Sequence, residues 1–304
     1  MMKIASITVF CNERFRLDDW MRYYQEYAPA IGLHVIVNNG DPADTPTLRT
    51  LFPHSLVLES SSRNLLAAYN LGLREILRDP EVRAVLQLVN DVRISAEGLT
   101  ALGKLLEREP DVAMVSPVLL EKDSDVIDCF GCEIDRKNLD FIHLDCGKHL
   151  ADIAGGERRV TGLPAGIVLA RRDVYERLGF QDERLGMYAD EVDLGLRMAD
   201  AGYALVATSA AVAGHQHVFP GGKQVRNARA AFLMSRNPLL IARKRGDISV
   251  SRVFFRRVEV GIREMLSALL HGKSFDVYRF GFAEIRGAFA GLFESLRPAS
   301  KASE

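Results

Sequence analysis

Residues 84–91 read Ala84-Val85-Leu86-Gln87-Leu88-Val89-Asn90-Asp91. An apolar run is followed at once by an amide and a carboxylate. A short apolar run closed by turn residues marks a strand buried on both faces. Such strands belong to sheets covered by helices on both sides, and those sheets bind ligands beyond the carboxyl ends of their strands. The same pattern occurs twice upstream. Residues 4–10 are apolar and β-branched and lead into Cys11-Asn12-Glu13-Arg14. Residues 33–37 lead into Asn38-Asn39-Gly40-Asp41-Pro42, a strong turn signal. Helical periodicity fills the intervals, over residues 17–27, 64–77 and 96–106. In the second of these Leu66, Tyr69, Leu73 and Ile76 share a face. A fourth strand is expected at 112–115. Alternating strands and helices imply a parallel sheet, and three polar clusters at three strand ends outline a pocket.

Downstream the pattern changes. Residues 126–143 read as extended segments and turns. Residues 160–170 are apolar and small, with Gly162, Pro164 and Gly166. A helix is expected over 190–201, stopped by Gly202, and an extended run over 203–213 leads into His215-Gln216-His217. Three helices are expected over 225–245, 252–270 and 275–296, with a frayed tail at 298–304. From Lys223 onward there are 16 Lys/Arg against 7 Asp/Glu, within a chain whose net charge is -1. The basic stretch reads either as a solvated helical face or as a surface for an anionic partner.

The chain has 304 residues, 48% hydrophobic and 26% charged, enough for one large α/β domain or two small ones. Its near-zero net charge gives no sign of nucleic-acid binding. No run approaches the ~18 apolar residues of a membrane span, and no secretory leader is recognisable. Four cysteines do not make a disulfide scaffold, so a reduced, cytoplasmic setting is expected.

Several groups of residues carry chemistry. Asp91, at a strand end, either turns the chain or holds a hard divalent cation that in turn holds a diphosphate. Asp190-Glu191-Val192-Asp193 opens a helix. Carboxylates there suit the N-cap and the helix dipole, and one facing a cleft serves as a general base. Of His215 and His217 only one can face a given site, because alternate strand residues point to opposite faces. Cys129-x-x-Cys132, followed by His143, Cys146 and His149, reads as a zinc-type spacing or as a strand turn with a structural Gly131. No G-x-G-x-x-G follows the first strand, so a dinucleotide fold is unsupported. Gly272-Lys273-Ser274 is not a P-loop: Ser267 stands where the first glycine must be, and no strand precedes it.

In order along residues 3–244, these pieces resemble the inverting nucleotide-sugar glycosyltransferases of family 2, of GT-A fold. The look is that of the rhamnosyl- and galactofuranosyl-transferase-like members. Phe10-Cys11-Asn12-Glu13-Arg14 is similar to the family's Thr-Tyr-Asn-Arg opening. Asn38-Asn39-Gly40-Asp41-Pro42-Ala43-Asp44 resembles its Asp-Asn-Gly-Ser-x-Asp loop. Arg63-Asn64 through Asn70-Leu71-Gly72 resembles its Asn-x-Gly-bounded helix, and Val89-Asn90-Asp91-Val92 its metal-binding segment. Residues 162–172 and Leu178-Gly179-Phe180-Gln181-Asp182-Glu183 look like its acceptor-side strand and sequel. Tyr188-Ala189-Asp190-Glu191-Val192-Asp193-Leu194 through Arg197 resembles Phe-x-Glu-Asp-x-Asp-Leu-x-x-Arg. His215 and Arg236-Asn237 match a late histidine and a downstream pair.

The resemblance implies an α/β, Rossmann-like GT-A sheet with helices on both faces, plus a C-terminal helical extension. It implies a transferase domain over residues 1–222, with a donor half at about 1–115 and an acceptor half at about 116–222. The basic extension covers 223–304. Phe10, Asn12, Glu13, Asn38, Asn39, Arg63, Asn70 and Asp91 would bind a UDP- or dTDP-sugar. Asp91 and His215 would hold Mg²⁺ or Mn²⁺, Glu191 would be the base, and Asp190 would orient the acceptor. The acceptor would be a saccharide or a lipid-linked one, used in cell-surface polysaccharide synthesis. The extension would meet an anionic membrane at the inner face or a second copy of the chain. Three departures stand out. Asn38 replaces the aspartate that usually reads the base, Val89 leaves Asp91 as the sole charged ligand of its motif, and the usual Glu-Asp pair is Asp190-Glu191. They leave open a catalytically inactive sugar-nucleotide-binding partner. A nucleotidyltransferase would need a glycine-rich, lysine-bearing loop, which Asn12-Glu13-Arg14 does not supply.

Overall fold

The computed structural model describes residues 2–216, 227–271 and 275–296. His217, Gly272-Lys273-Ser274 and the tail at 298–304 lie outside the described residues. The chain divides into two compact units. One comprises Met1–Ile134, Phe141–Gly186 and Glu191–Val218. The other comprises Asp135–Asp140, Met187–Asp190 and Phe219–Glu304.

The first unit is built on one large sheet. Strands β1 (Ile4–Phe10), β2 (Leu33–Asn38), β3 (Ser55–Glu59) and β4 (Ala84–Leu88) lie in the order β3-β2-β1-β4, all parallel. Register sets Phe10 beside Asn38 and Asn38 beside Glu59, so the polar residues after each strand share one edge. The sheet continues through β11 (Ile167–Arg171), β6 (Val112–Glu121), β12 (Ala204–His215) and β10 (Glu157–Val160). Short strands β5 (Val92–Ile94) and β7 (Ile127–Cys129) pair with β12 and β6. Strands β8 (Cys132–Asp135) and β9 (Asp140–His143) form a separate ribbon.

The sheet is mixed, which corrects the expectation of a parallel one. β11 runs antiparallel to both β4 and β6 and lies between them. The cause is the connection. A helical crossover returns a strand parallel to the last. Between β6 and β11 no α-helix intervenes, and β11 starts at Ile167, beside Leu88 at the carboxyl end of β4.

Helices cover both faces. On one face α3 (Leu65–Ile76) packs Ala68, Leu73 and Ile76 on Ile7, Val35, Val37 and Val85. On the other, α4 (Ala96–Arg108) packs Leu99, Leu102 and Leu106 on Leu86, Leu88 and Val115. A Cβ at Gly72 would overlap Ile7, so that glycine is what lets α3 ride close to β1. Helix α1 (Leu17–Tyr27) adds Trp20, which packs with Phe10, Ile36 and Phe52.

The second unit is helical. It contains α7 (Ala228–Arg245), α8 (Val250–Leu270) and α9 (Phe275–Leu296). Backbones approach through glycines. A Cβ at Gly261 would sit 2.7 Å from the Gly281 oxygen, and one at Gly281 would sit 2.6 Å from the Gly261 oxygen. Gly291 lies in the same way against the Arg236 carbonyl. Asp140 binds Arg256 Nε at 2.9 Å and Arg257 at 2.6 Å. The buried Asn237 amide donates to the carbonyls of Met187 at 2.8 Å and Tyr188 at 2.9 Å.

Candidate active site

The carboxyl ends of β4 and β12 bring the first group together, because β5 pairs His215 with Val92, next to Asp91. His215 Nε2 lies 3.6 Å from Asp91 Oδ1, and His215 Nδ1 lies 2.9 Å from Asp128 Oδ2. Nδ1 thus faces Asp128 and Nε2 faces Asp91, one carboxylate to each ring nitrogen. The other Asp91 oxygen pairs with Arg16, and both side chains are largely buried. The Asp91 carbonyl accepts from Gln216 N at 2.8 Å, which fixes the backbone there. Glu13 joins the group: its carboxylate accepts from Asn90 Nδ2 at 2.7 Å and Cys11 N at 3.3 Å. Burial pushes the Glu13 carboxyl up, against the lowering effect of those bonds.

Asp128 and Arg16 were not singled out from the sequence. Asp128 had a signal, a carboxylate between apolar neighbours in Ile127-Asp128-Cys129. Arg16 had none beyond nearness to Asn12-Glu13.

The second group sits after β1 and β2. Asn12 holds a left-handed backbone (φ 61°), and its Oδ1 accepts from Asp41 N at 2.6 Å. The buried Asn38 side chain frames the turn. It donates to the Asp41 carbonyl at 2.8 Å and to Thr45 Oγ1 at 3.1 Å, and accepts from Gly40 N at 3.0 Å. A Cβ at Gly40 would run into the Asn12 side chain, which explains the glycine. Asn39 is buried, and its N–H donates to the Phe10 carbonyl at 2.8 Å. The Phe10 ring is fully buried and stacks on Trp20, so it is the Phe10 backbone that meets the turn.

The third group anchors a loop. Asn64 caps α3 through Leu66 N and Ala67 N, and its amide donates to the Glu183 carbonyl at 2.8 Å. Asn70 donates to the Gln181 carbonyl and to Glu183, each at 2.9 Å, and accepts from Gln181 N at 3.0 Å. Arg63 is exposed beside the cap, with φ 48°.

Asp190 and Glu191 begin α6 (Asp190–Asp200), each half-buried. The two preceding residues, Tyr188 and Ala189, hold left-handed backbone at φ 66° and 61°, a conformation costly for residues with a Cβ. Asp193 is buried and binds Arg197 Nε at 2.9 Å. Arg197 in turn donates to the carbonyls of Leu178 at 2.8 Å and Phe180 at 3.1 Å.

The cysteine-rich stretch also comes together. Cys129 and Cys132 Sγ lie 3.4 Å apart, and with His143 their donor atoms all fall within 4.8 Å of one another. The Cys132 thiol is pushed up, first by its bond to Cys129 and by burial, and further by the charges of Cys129 and Glu191. His149 is elsewhere, at 3.0 Å from Asp125.

The sheet order and helix placement define a GT-A glycosyltransferase fold. The structure of GalNAc-T7 with UDP, GalNAc and Mn²⁺ matches with a TM-score of 0.60 at 10% identity, over 97% of this chain and 57% of that one. The mannosyltransferase PcManGT from Pyrobaculum calidifontis, in complex with GDP-Man and Mn²⁺, matches with a TM-score of 0.59 at 12% identity. That match covers 96% of this chain and 87% of the other. The protein thus spans little more than half the length of the GalNAc-T7 chain. No protein-family model matches the sequence, and no curated protein matches it significantly.

Proposed function

We propose that the protein is an inverting glycosyltransferase that moves a sugar from a UDP- or dTDP-sugar to a hydroxyl of a saccharide or lipid-linked acceptor in cell-surface polysaccharide synthesis. The observation that carries this reading is the arrangement of Asp91, His215 and Asp128 at the carboxyl edge of a GT-A sheet. An oxygen and an imidazole nitrogen 3.6 Å apart suit two ligands of one cation, since bonds of about 2.1 Å set ligands about 3–4 Å from each other. Asp91 and His215 would hold Mg²⁺ or Mn²⁺ there, and such an ion would supply positive charge to offset that on a leaving diphosphate. Asp128 orients the His215 ring for that task. Arg16, paired with Asp91, adds a fixed positive charge for the phosphates. Asn12, Glu13, Asn38 and Asn39, with the Phe10 backbone, make the nucleotide end of the donor half. Arg63 is the exposed cation of the α3 cap, and Asn70 holds the loop 181–183. Glu191 takes the proton of the acceptor hydroxyl, and Asp190 orients that acceptor.

A thermal-shift screen of nucleotide sugars with Mn²⁺ tests the reading. A ligand that binds only the folded state at ~100 times its Kd adds ~2.7 kcal/mol of stability and raises the melting temperature. We expect a shift for a UDP- or dTDP-sugar that needs Mn²⁺. No shift with any nucleotide sugar would overturn the assignment.

The helical unit supports a place at an anionic membrane surface. Among the described residues no helix is long and apolar enough to cross a membrane. On α9, Phe275, Phe282, Phe289 and Leu296 recur every seven residues, a spacing that keeps them on one side of a helix, and all are exposed. Phe255, Leu266 and Leu269 are exposed on α8. Exposed apolar groups among Arg252, Arg263, Arg279 and Arg286 fit an interfacial helix. Val253 is buried, and Arg256 and Arg257 are held by Asp140. We expect binding to vesicles containing anionic lipid, weakening between 0.05 and 0.5 M salt on the order of tenfold as charges are screened. The triple variant Phe275→Ser, Phe282→Ser, Phe289→Ser should lose it. Co-sedimentation unchanged in the triple variant would remove the membrane role. A wild-type dimer in sedimentation without vesicle binding would assign the face to a second copy instead.

A further inference from the structure

We propose that Cys129, Cys132 and His143 form a second metal site, a thiolate–imidazole centre that takes Zn²⁺ and is separate in chemistry from the oxygen-rich Asp91 group.

Three elements converge to make it. Cys129 ends β7 and Cys132 begins β8. The two-residue turn between them passes through Gly131 at φ +78°, where a Cβ would also crowd Val160 and Ala207. This turn folds both thiols to one side, and they are buried. His143 ends β9, the partner of β8 in the ribbon, and is exposed. The three donor atoms lie within 4.8 Å of one another. Two thiolates on one tetrahedral Zn²⁺, with bonds of about 2.3 Å, sit about 3.8 Å apart. The observed 3.4 Å needs only a few tenths of an ångström of opening. Cys129 Sγ donates to the Gly131 carbonyl at 3.1 Å, a weak bond that a metal–sulfur bond would replace.

The donor set chooses the metal. Two sulfurs and one imidazole suit Zn²⁺ and disfavour Mg²⁺ or Mn²⁺, which prefer oxygen. The nearest further soft donor in sequence is Cys146, on an exposed turn three residues after His143. Three protein ligands with a fourth position toward the exposed side define the centre. Its effect is structural. It ties β7 to the ribbon β8–β9, and Asp128, which orients His215, lies on β7 next to Cys129.

The test uses the full chain, reduced and stripped of metal, with added Zn²⁺ or Co²⁺ as probe. We expect one equivalent of Zn²⁺ by elemental analysis and, with Co²⁺, a thiolate charge-transfer band and the intense visible bands of a tetrahedral site. His143→Ala changes an exposed residue and leaves the fold intact. It should lower Zn²⁺ affinity at least about tenfold and alter the Co²⁺ bands. Cys129→Ser and Cys132→Ser should abolish the charge-transfer band. Asp91→Asn should leave these signals unchanged, which separates this centre from the donor-site cation. The proposal is overturned if the reduced wild type takes up neither ion, or if His143→Ala and Cys132→Ser, with native circular dichroism, bind Zn²⁺ as tightly as wild type.

Discussion

Replacing Asp91 with Ala is expected to remove Mn²⁺-dependent donor binding, with a loss of at least about a hundredfold in affinity, about 2.8 kcal/mol. The residue stands at the end of a fully buried strand and supplies the only carboxylate of its motif. One of its oxygens faces His215 Nε2 and the other pairs with Arg16, so the charge is aimed into the site and not into solvent. The backbone there is held by the Gln216 N–H and by β5, neither of which depends on the side chain. The fold should therefore survive. Asp91→Asn keeps the shape and removes the charge, and should behave in the same way. Asp128→Ala acts one step away, by freeing the His215 ring, and should cost about tenfold in Mn²⁺ affinity, in the range found for residues behind a metal ligand. Calorimetry that finds unchanged donor affinity with Mn²⁺ in Asp91→Ala would sink the assignment of the cation to this position.

The second large effect is expected at Glu191. Glu191→Gln keeps size and removes basicity, so turnover should fall by about a hundredfold or more while donor affinity stays near wild type. Asp190→Asn should act on the acceptor, raising its KM more than it lowers kcat. The two must be measured side by side, because Asp190-Glu191 stands where the family that the motifs resemble has Glu-Asp. Near-normal turnover in Glu191→Gln beside a dead Asp190→Asn would move the base one residue earlier. Lost donor binding in Glu191→Gln would point to a structural or metal-linked role. A wild-type chain that binds donor, but neither transfers nor hydrolyses its sugar, would be a binding partner and not an enzyme.

Much of the scaffold was legible because its strands are short and apolar on both faces. β1, β2 and β4 and helices α1, α3 and α9 stand where periodicity sets them. What escaped has physical reasons. β3 is an edge strand that buries little beyond Val57, and so it lacks an apolar run. α2 (Thr45–Leu51) opens with Thr-Pro inside a turn-rich stretch and reads as loop, although proline is at ease in a first turn. α5 (Arg172–Leu178) carries four charged residues in two turns. Polar residues that follow buried strands could be paired from the sequence, and the structure brings two of them, Asp91 and His215, to 3.6 Å of each other. The site was not legible where a partner comes from distant sequence: Asp128 reaches His215 across 87 positions and Arg16 reaches Asp91 across 75. Asn38 and Asn70 were expected to contact a donor, and in the structure their amides donate to carbonyls of the chain.

The Asp193–Arg197 pair bears on how such a chain can drift. Arg197 grips the carbonyls of Leu178 and Phe180 from the second turn of α6, while Asp193 steadies its guanidinium from below. The helix is therefore seated by its middle. None of these contacts uses the Asp190 or Glu191 carboxylates, which open the helix. The contacts that seat the helix are thus separate in sequence from its leading pair. That separation gives a physical route by which a chain sharing 10–12% of its residues with two glycosyltransferases still builds their architecture.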